Sequence, residues 1–182
     1  MKKVIVFLAD GFEEVEAVTP IDFLRRAECD VFIAGVTGKM VEGAHGLLVE
    51  ADGLISDIPQ DADAVVIPGG MPGAENIADS AAALNIISSV FDRGGLVASI
   101  CASPGVVLSR IPILNTRKAT CYPGFQKYFP DDATYLEESV VVDGNLITSR
   151  GPGTALSWAI ELVKYLAGDE VADNLMKGAL IS

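Results

Sequence analysis

The stretch Leu96-Val97-Ala98-Ser99-Ile100-Cys101-Ala102-Ser103-Pro104-Gly105 leaves this chain little freedom in how it folds. Its first five residues are mostly apolar and uncharged, which suits a strand in the centre of a parallel sheet. Pro104 is tolerated only in the first turn of a helix, so strand must become helix within Cys101 to Ser103. Ser99 and Ser103 sit two residues either side of the cysteine, the small-x-nucleophile-x-small spacing of a nucleophile elbow. So sharp a turn needs small neighbours, because bulky ones collide with the adjoining strand and helix. The cysteine would project just above the sheet, with a helix N-terminus to favour its thiolate. A buried structural cysteine is the competing reading, since free cysteine is among the most buried residue types.

Further strands are expected over residues 2–9, 31–36 and 62–67, each apolar and each closed by turn residues. Residues 13–27 read as a helix with a kink or local break at Pro20, and 40–52 as a small hairpin or irregular excursion. One or two helices fit residues 76–92, and a short strand fits 117–121. Residues 139–142 and 146–149 flank Asp143-Gly144, a two-residue hairpin signal. A closing helix over 153–166 is ended by Gly168. Strands alternating with helices imply an α/β fold, a mostly parallel sheet with helices on both faces. At 182 residues, one domain spanning 1–182 is expected. In such sheets ligands bind beyond the carboxyl ends of the strands. Asp10 to Glu16, Gly69-Gly70 and Cys101 all follow such ends, so they converge on one site.

A formal net charge of −12 opposes non-specific binding to nucleic acid or to an anionic membrane surface. No apolar run is long enough to cross a bilayer. The run after Met1-Lys2-Lys3 is followed at once by Asp10, Glu13, Glu14 and Glu16, so it reads as a strand rather than a signal peptide. Three cysteines, an odd number, fit a reducing compartment, and a cytoplasmic protein is expected.

The chemistry these residues permit centres on Cys101. Gly69-Gly70 after a strand offers unobstructed backbone N–H groups. With the N–H of Ala102, Gly70 would form an oxyanion hole, although a plain glycine turn has the same sequence. Neither phosphate-loop pattern follows that strand. Glu13, Glu14 and Glu16 open a helix, where acids complement the dipole. Glu16 is flanked by Val15, Ala17 and Val18. If buried near a thiol, it stays protonated and acts as an acid/base. The single histidine, His45, reaches Cys101 only if its loop folds back over the sheet. Scattered cysteines and one histidine lack zinc-ligand spacing, so no metal is expected. Arg25, Arg26 and Arg150 are candidates for an anion pocket.

Four ordered pieces now carry a resemblance that spans nearly the whole chain. They are Ala9-Asp10-Gly11-Phe12-Glu13-Glu14-Val15-Glu16, Pro68-Gly69-Gly70, Ala98-Ser99-Ile100-Cys101-Ala102-Ser103-Pro104 and Ser149-Arg150-Gly151-Pro152-Gly153-Thr154. The chain resembles the ThiJ/PfpI superfamily, in the branch of the parkinsonism-associated protein deglycase. That resemblance implies a flavodoxin-like sandwich and a homodimer. It implies a nucleophilic Cys101, a protonated Glu16 beside it, and an oxyanion hole from Gly70 and Ala102. It implies cofactor-independent glyoxalase or deglycase chemistry on small carbonyl substrates such as methylglyoxal and glyoxal, or on their adducts. Redox sensing or chaperone action through the same cysteine is the alternative, and a thiol hydrolase or amidase the third. Protease-like members carry a histidine directly after the nucleophile, where this chain has Ala102. Many members place a histidine close to the cysteine, two residues before the loop glycine or at the site matching Tyr122, where this chain offers a phenol, a poorer base near neutrality. His45 matches an arginine that forms an anion pocket in some relatives, with Arg26 as the other contributor.

Overall fold

The first strand, β1 (Lys3–Leu8), is apolar on both faces, and the computed structural model, which describes residues 1–181, shows what each face covers. Val4, Val6 and Leu8 pack with Ala17, Leu24 and Trp158, while Ile5 and Phe7 pack with Ile77, Ile87 and Val90. Alternate side chains of a strand point to opposite faces, so an unbroken apolar run is what a strand between two helical layers needs.

Helix α1 (Glu14–Arg26) follows, with Glu14 and Glu16 in its first turn and Arg25 and Arg26 in its last. It runs unbroken through Pro20, against the expected break. Proline removes one backbone donor, and burial of Ala17, Ile21 and Leu24 on the same helix holds it regardless. After β2 (Asp30–Gly35), the excursion expected over residues 40–52 forms an antiparallel hairpin of β3 (Met40–Glu42) and β4 (Leu48–Glu50). A two-residue strand, β5 (Gly53–Leu54), then pairs with β2. Next come β6 (Ala64–Ile67), α2 (Gly73–Ala78) and α3 (Ala81–Asp92), whose first turn is capped where the Ser80 hydroxyl accepts from the Ala83 N–H at 3.2 Å. β7 (Leu96–Ile100) leads through Cys101 into α4 (Ser103–Val106), a single helical turn.

The strand expected over 117–121 shrinks to β8 (Lys118–Ala119), which pairs with β9 (Thr134–Tyr135) outside the main sheet. β10 (Val140–Asp143) and β11 (Leu146–Ser149) form the expected hairpin, turning at Gly144 with φ 61°. Helix α5 (Ala155–Ala167) ends at Gly168, whose φ of 95° stops it, but the chain goes on into α6 (Asp169–Gly178).

The main sheet has the order β10-β11-β7-β6-β1-β2-β5, parallel throughout except for the β10–β11 pair. This is a flavodoxin-like α/β fold. From β1 the chain first builds outward to β2, then returns to place β6 on the other side of β1. Ligands settle in the crevice at such a reversal. Because Val6 pairs with Val66 and Ile67 with Ser99, the carboxyl ends of β1, β6 and β7 come to one edge. Among the described residues no helix is long and apolar enough to cross a membrane.

Candidate functional site

Cys101 stands at that edge with φ 64°, in the left-handed region that a residue with a Cβ rarely occupies. The surroundings force it there. Its N–H donates to the Ser149 carbonyl at 3.0 Å, and its own carbonyl accepts from the Tyr122 N–H at 2.8 Å. The Ser103 hydroxyl, fully buried, donates to the Pro68 carbonyl and ties the turn to the Pro68-Gly69-Gly70 loop. Strain of this kind persists where neighbours over-determine it, which is a property of functional turns.

Glu16 comes from the first turn of α1 and has no solvent exposure. Its Oε2 accepts from the Gly69 N–H at 2.9 Å, while Oε1 has no hydrogen-bond partner. The proximity of the two side chains is recorded by Gly69. A Cβ on that residue would stand 2.5 Å from the Cys101 Cβ and 2.6 Å from Glu16 Oε2. Burial pushes the Glu16 carboxyl up to about 7, against the opposing contacts of Cys101 and the Gly69 N–H. Burial, then the charge of Glu16, pushes the Cys101 thiol up to about 12, and the N–H groups of Gly70 and Ala102 pull it down. Two adjacent buried anions repel, so the pair loses one proton near neutrality and keeps the second. When that remaining proton sits on Glu16 the repulsion vanishes, and the carboxyl can donate to the sulfur. The expected helix-dipole support for the thiolate is corrected here, because α4 is one turn long. Gly70 and Ala102 supply the nearby donors instead.

The other expected residues divide. Tyr122 is close, with its ring against Gly151 and edge-on to Phe125 at 6.4 Å. Arg26 is not brought to the site within the chain: it pairs with Asp22 at 2.8 Å, nearly three turns along α1 from Glu16, or about 15 Å. The His45 loop folds back onto the start of α1, where Ala44 N–H donates to the Phe12 carbonyl. His45 itself meets Glu14, not Cys101. Its N–H donates to Glu14 Oε1 at 2.6 Å, and its Nδ1 lies 2.7 Å from Oε2. Glu13, Glu14 and His45 each place a donor atom within 4.8 Å of the others, a grouping the sequence spacing did not announce. Both Glu14 oxygens are engaged by His45, so the ion pair accounts for the cluster. Arg25, expected with Arg26, pairs with Asp52 at 3.3 Å.

The His45–Glu14 pair makes a pH prediction. Glu14 raises His45, whose contribution is complete below its ordinary value and lost as pH rises through the raised one. Contact with His45 and backbone N–H groups leaves Glu14 lowered despite opposing desolvation, so its contribution is complete above its ordinary value and lost as pH falls through the lowered one. Amide-exchange protection of residues 44–47 should therefore peak between the carboxylate and histidine ranges and fall on either side. His45→Ala should flatten that profile and leave exchange at Cys101 unchanged. A flat profile in the parent would remove the ion pair from the account.

Two glycines gain a role that sequence reasoning did not give them: Gly69, singled out with Gly70 only for its backbone N–H, would crowd both members of the pair if it carried a Cβ, and Gly151 lies beside Glu16 Oε1. Both sit in the quoted motifs.

Comparison with known proteins places this geometry in context. The DJ-1/PfpI family pattern matches residues 2–165. Two Arabidopsis thaliana relatives, DJ-1 homologs B and A, are each 39% identical over 94% and 96% of this chain. The chain spans only 40% and 45% of their length. A deglycase of Pyrococcus abyssi is 34% identical over 90% of this chain and 99% of its own. Among solved structures, oxidized DJ-1 of Toxoplasma gondii superposes with a TM-score of 0.94 at 41% identity, covering 99% of this chain and 98% of that one.

Proposed function

The chain belongs to the DJ-1/PfpI family, and on that premise we propose that it is a cofactor-independent enzyme of glyoxalase or deglycase type. Its substrates are α-oxoaldehydes, methylglyoxal and glyoxal, or their adducts, and its nucleophile is Cys101. The observation that carries this reading is the buried Glu16 carboxyl, held at about 7 against a thiol on a strained turn. A general acid/base works best with a value near the operating pH.

In the singly protonated pair, sulfur attacks the aldehyde carbon while its proton resides on Glu16. The oxyanion forms against the N–H groups of Gly70 and Ala102. Glu16 protonates that oxygen, giving a hemithioacetal, and is then a carboxylate able to take the hydrogen from the same carbon. Returning it to the adjacent carbon, while the hydroxyl proton of the first carbon passes to the ketone oxygen, converts the ketone to a hydroxyl and leaves a thioester on Cys101. Water cleaves the thioester to an α-hydroxy acid and regenerates the thiol. None of these steps calls on a metal or an organic cofactor.

Purified protein given methylglyoxal should form lactate over many turnovers per Cys101. One turnover or none would overturn the reading. Slow turnover is expected, since His45 meets Glu14 and gives Cys101 no imidazole base.

A redox-sensing role is the second reading, favoured by Cys101 being the one cysteine of the three that is not buried. The Toxoplasma gondii relative is itself described as oxidized. Mild peroxide followed by peptide mapping should modify Cys101 before Cys29 or Cys121, because it is the one of the three that is not buried and the N–H groups of Gly70 and Ala102 favour its thiolate. Earlier oxidation of either buried thiol would contradict the reactive-elbow assignment. Catalysis with multiple turnovers separates the two readings, because a sensor has no need of it.

The same family reading makes the assembly a homodimer. Exposed Val15 and Val18 on α1, with Leu47 and Leu48 on the hairpin that docks beside it, offer apolar surface for a second copy. Sedimentation at twice the chain mass is the expected result. Three free thiols accord with a cytoplasmic location.

A further inference from the structure

We propose that Ser103 is a positioning residue for the proton chemistry, acting on Glu16 through the one peptide group that joins Pro68 to Gly69. The proposal rests on the acid/base reading of Glu16 above. The fully buried Ser103 hydroxyl donates to the Pro68 carbonyl, and the Gly69 N–H donates to Glu16 Oε2 at 2.9 Å. That carbonyl and that N–H belong to the same peptide group. The group is planar and trans, so its C=O and N–H point in opposite directions. Ser103 therefore holds one end of a rigid plate whose other end holds the carboxyl.

Two effects pass along this plate. The first is orientation. Gly69 has no side chain to anchor it, and the Glu13 N–H, donating to the Gly69 carbonyl at 2.9 Å, fixes only the next peptide group. Without the hydroxyl, the Pro68–Gly69 plane is free to tilt and swing its N–H away from Oε2. The second effect is polarisation. Hydrogen bonds in a chain strengthen one another, so donation to the carbonyl makes the N–H at the far end a stronger donor. A stronger donor favours the ionised carboxyl. The Gly69 N–H already opposes the burial that holds Glu16 up at about 7, and Ser103 sustains that opposition.

A small residue is all that the sharp turn asks of position 103. What serine adds is the bond to Pro68. The turn that carries the nucleophile thus also governs the acid/base, from the far side of the Gly69 loop. The other titratable groups acting on Glu16 are Cys101, on the turn after β7, and Glu13, just ahead of α1. Glu14 and His45 pair with each other, and Tyr122 borders the corner at Gly151.

The test follows the Glu16 carboxyl carbon by NMR in protein made with isotope-labelled glutamate, its signal assigned by its loss in Glu16→Gln. Ser103→Ala should move that titration upward by about half a pH unit or more. The shift should persist on a Cys101→Ala background, where the carboxyl titrates without the thiol. The rise of kcat/KM for methylglyoxal should move to higher pH by the same amount, through kcat rather than KM. A Ser103→Ala protein that loses stability yet titrates like its parent would overturn the proposal, because the hydroxyl would then be structural only. So would a shift that vanishes with the thiol, since Ser103 would then act by moving Cys101. The NMR titration needs no turnover. A parent that consumes no methylglyoxal sinks the enzyme reading, while the carboxyl still reports on Ser103.

Discussion

Glu16→Gln should abolish hydroxy-acid formation while giving a protein more stable than its parent above neutral pH. The two effects have one cause. Glutamine keeps the shape and an oxygen to accept from the Gly69 N–H, but it moves no proton. One positioned acid/base contributes on the order of 10²–10⁴-fold, and Glu16 carries that role in the proposed reaction. On the stability side, the folded protein holds the Glu16 carboxyl at about 7 because burial disfavours its charge. The unfolded chain releases the same proton near the ordinary carboxylate value, about 4.3. Between those values the folded state binds more protons, so stability falls as pH rises, by about 4 kcal/mol once the carboxyl is ionised. Glutamine removes that dependence. Urea titrations from pH 5 to pH 8 should show the parent weakening and the variant holding level, and kcat/KM of the parent should rise through about pH 7. A variant that keeps activity within a few-fold removes Glu16 from the mechanism. One that loses activity and stability equally at every pH shows a merely structural residue.

Much of this site was legible in the sequence, for reasons that differ between its parts. The Cys101 turn was readable because an uncharged apolar run, a cysteine and Pro104 leave no other local solution. The central strands were readable because two-sided burial demands unbroken apolar runs. β5 escaped notice because two residues carry no periodicity. α6 escaped because its one fully buried residue is Ala172, and because Gly168 signals a stop without signalling a restart. Arg26 illustrates another limit. The sequence put it on the same helix as Glu16, but helical rise carries it away from the site. His45 illustrates a third: a glycine-rich loop shows that the chain bends, not which surface it lands on. The roles of Gly69 and Gly151 depend on which oxygen of one carboxyl each faces. That is a relation across 53 residues for the Gly69–Glu16 hydrogen bond, and no local pattern encodes it.

Gly69→Ala should damage catalysis more than stability, because its methyl falls directly between Cys101 and Glu16. The added Cβ would stand 2.5 Å from the Cys101 Cβ, 2.6 Å from Glu16 Oε2 and 3.0 Å from the Ile100 carbonyl oxygen. None of these can yield cheaply. Cys101 is pinned through its N–H and carbonyl on a turn already strained at φ 64°, and Glu16 is closed in on all sides. Overpacking of a fixed core typically costs about 1–3 kcal/mol. For a chain of this length that lowers Tm by several degrees, at about 2–4 °C per kcal/mol. The catalytic loss should be out of proportion to that shift, because the methyl wedges apart the two groups that must share a proton. A misplacement of about 1 Å is enough to cost on the order of 10²-fold. The variant should stay folded by circular dichroism, lose its rise in kcat/KM through neutral pH, and leave the Cys101 thiol less coupled to Glu16. Thiol titration by the ultraviolet absorbance of the thiolate gives the last of these directly. Retained turnover with a normal pH profile would show that close packing at Gly69 does not set the geometry of the pair. The Glu16 carboxyl would then have to be positioned by α1 alone.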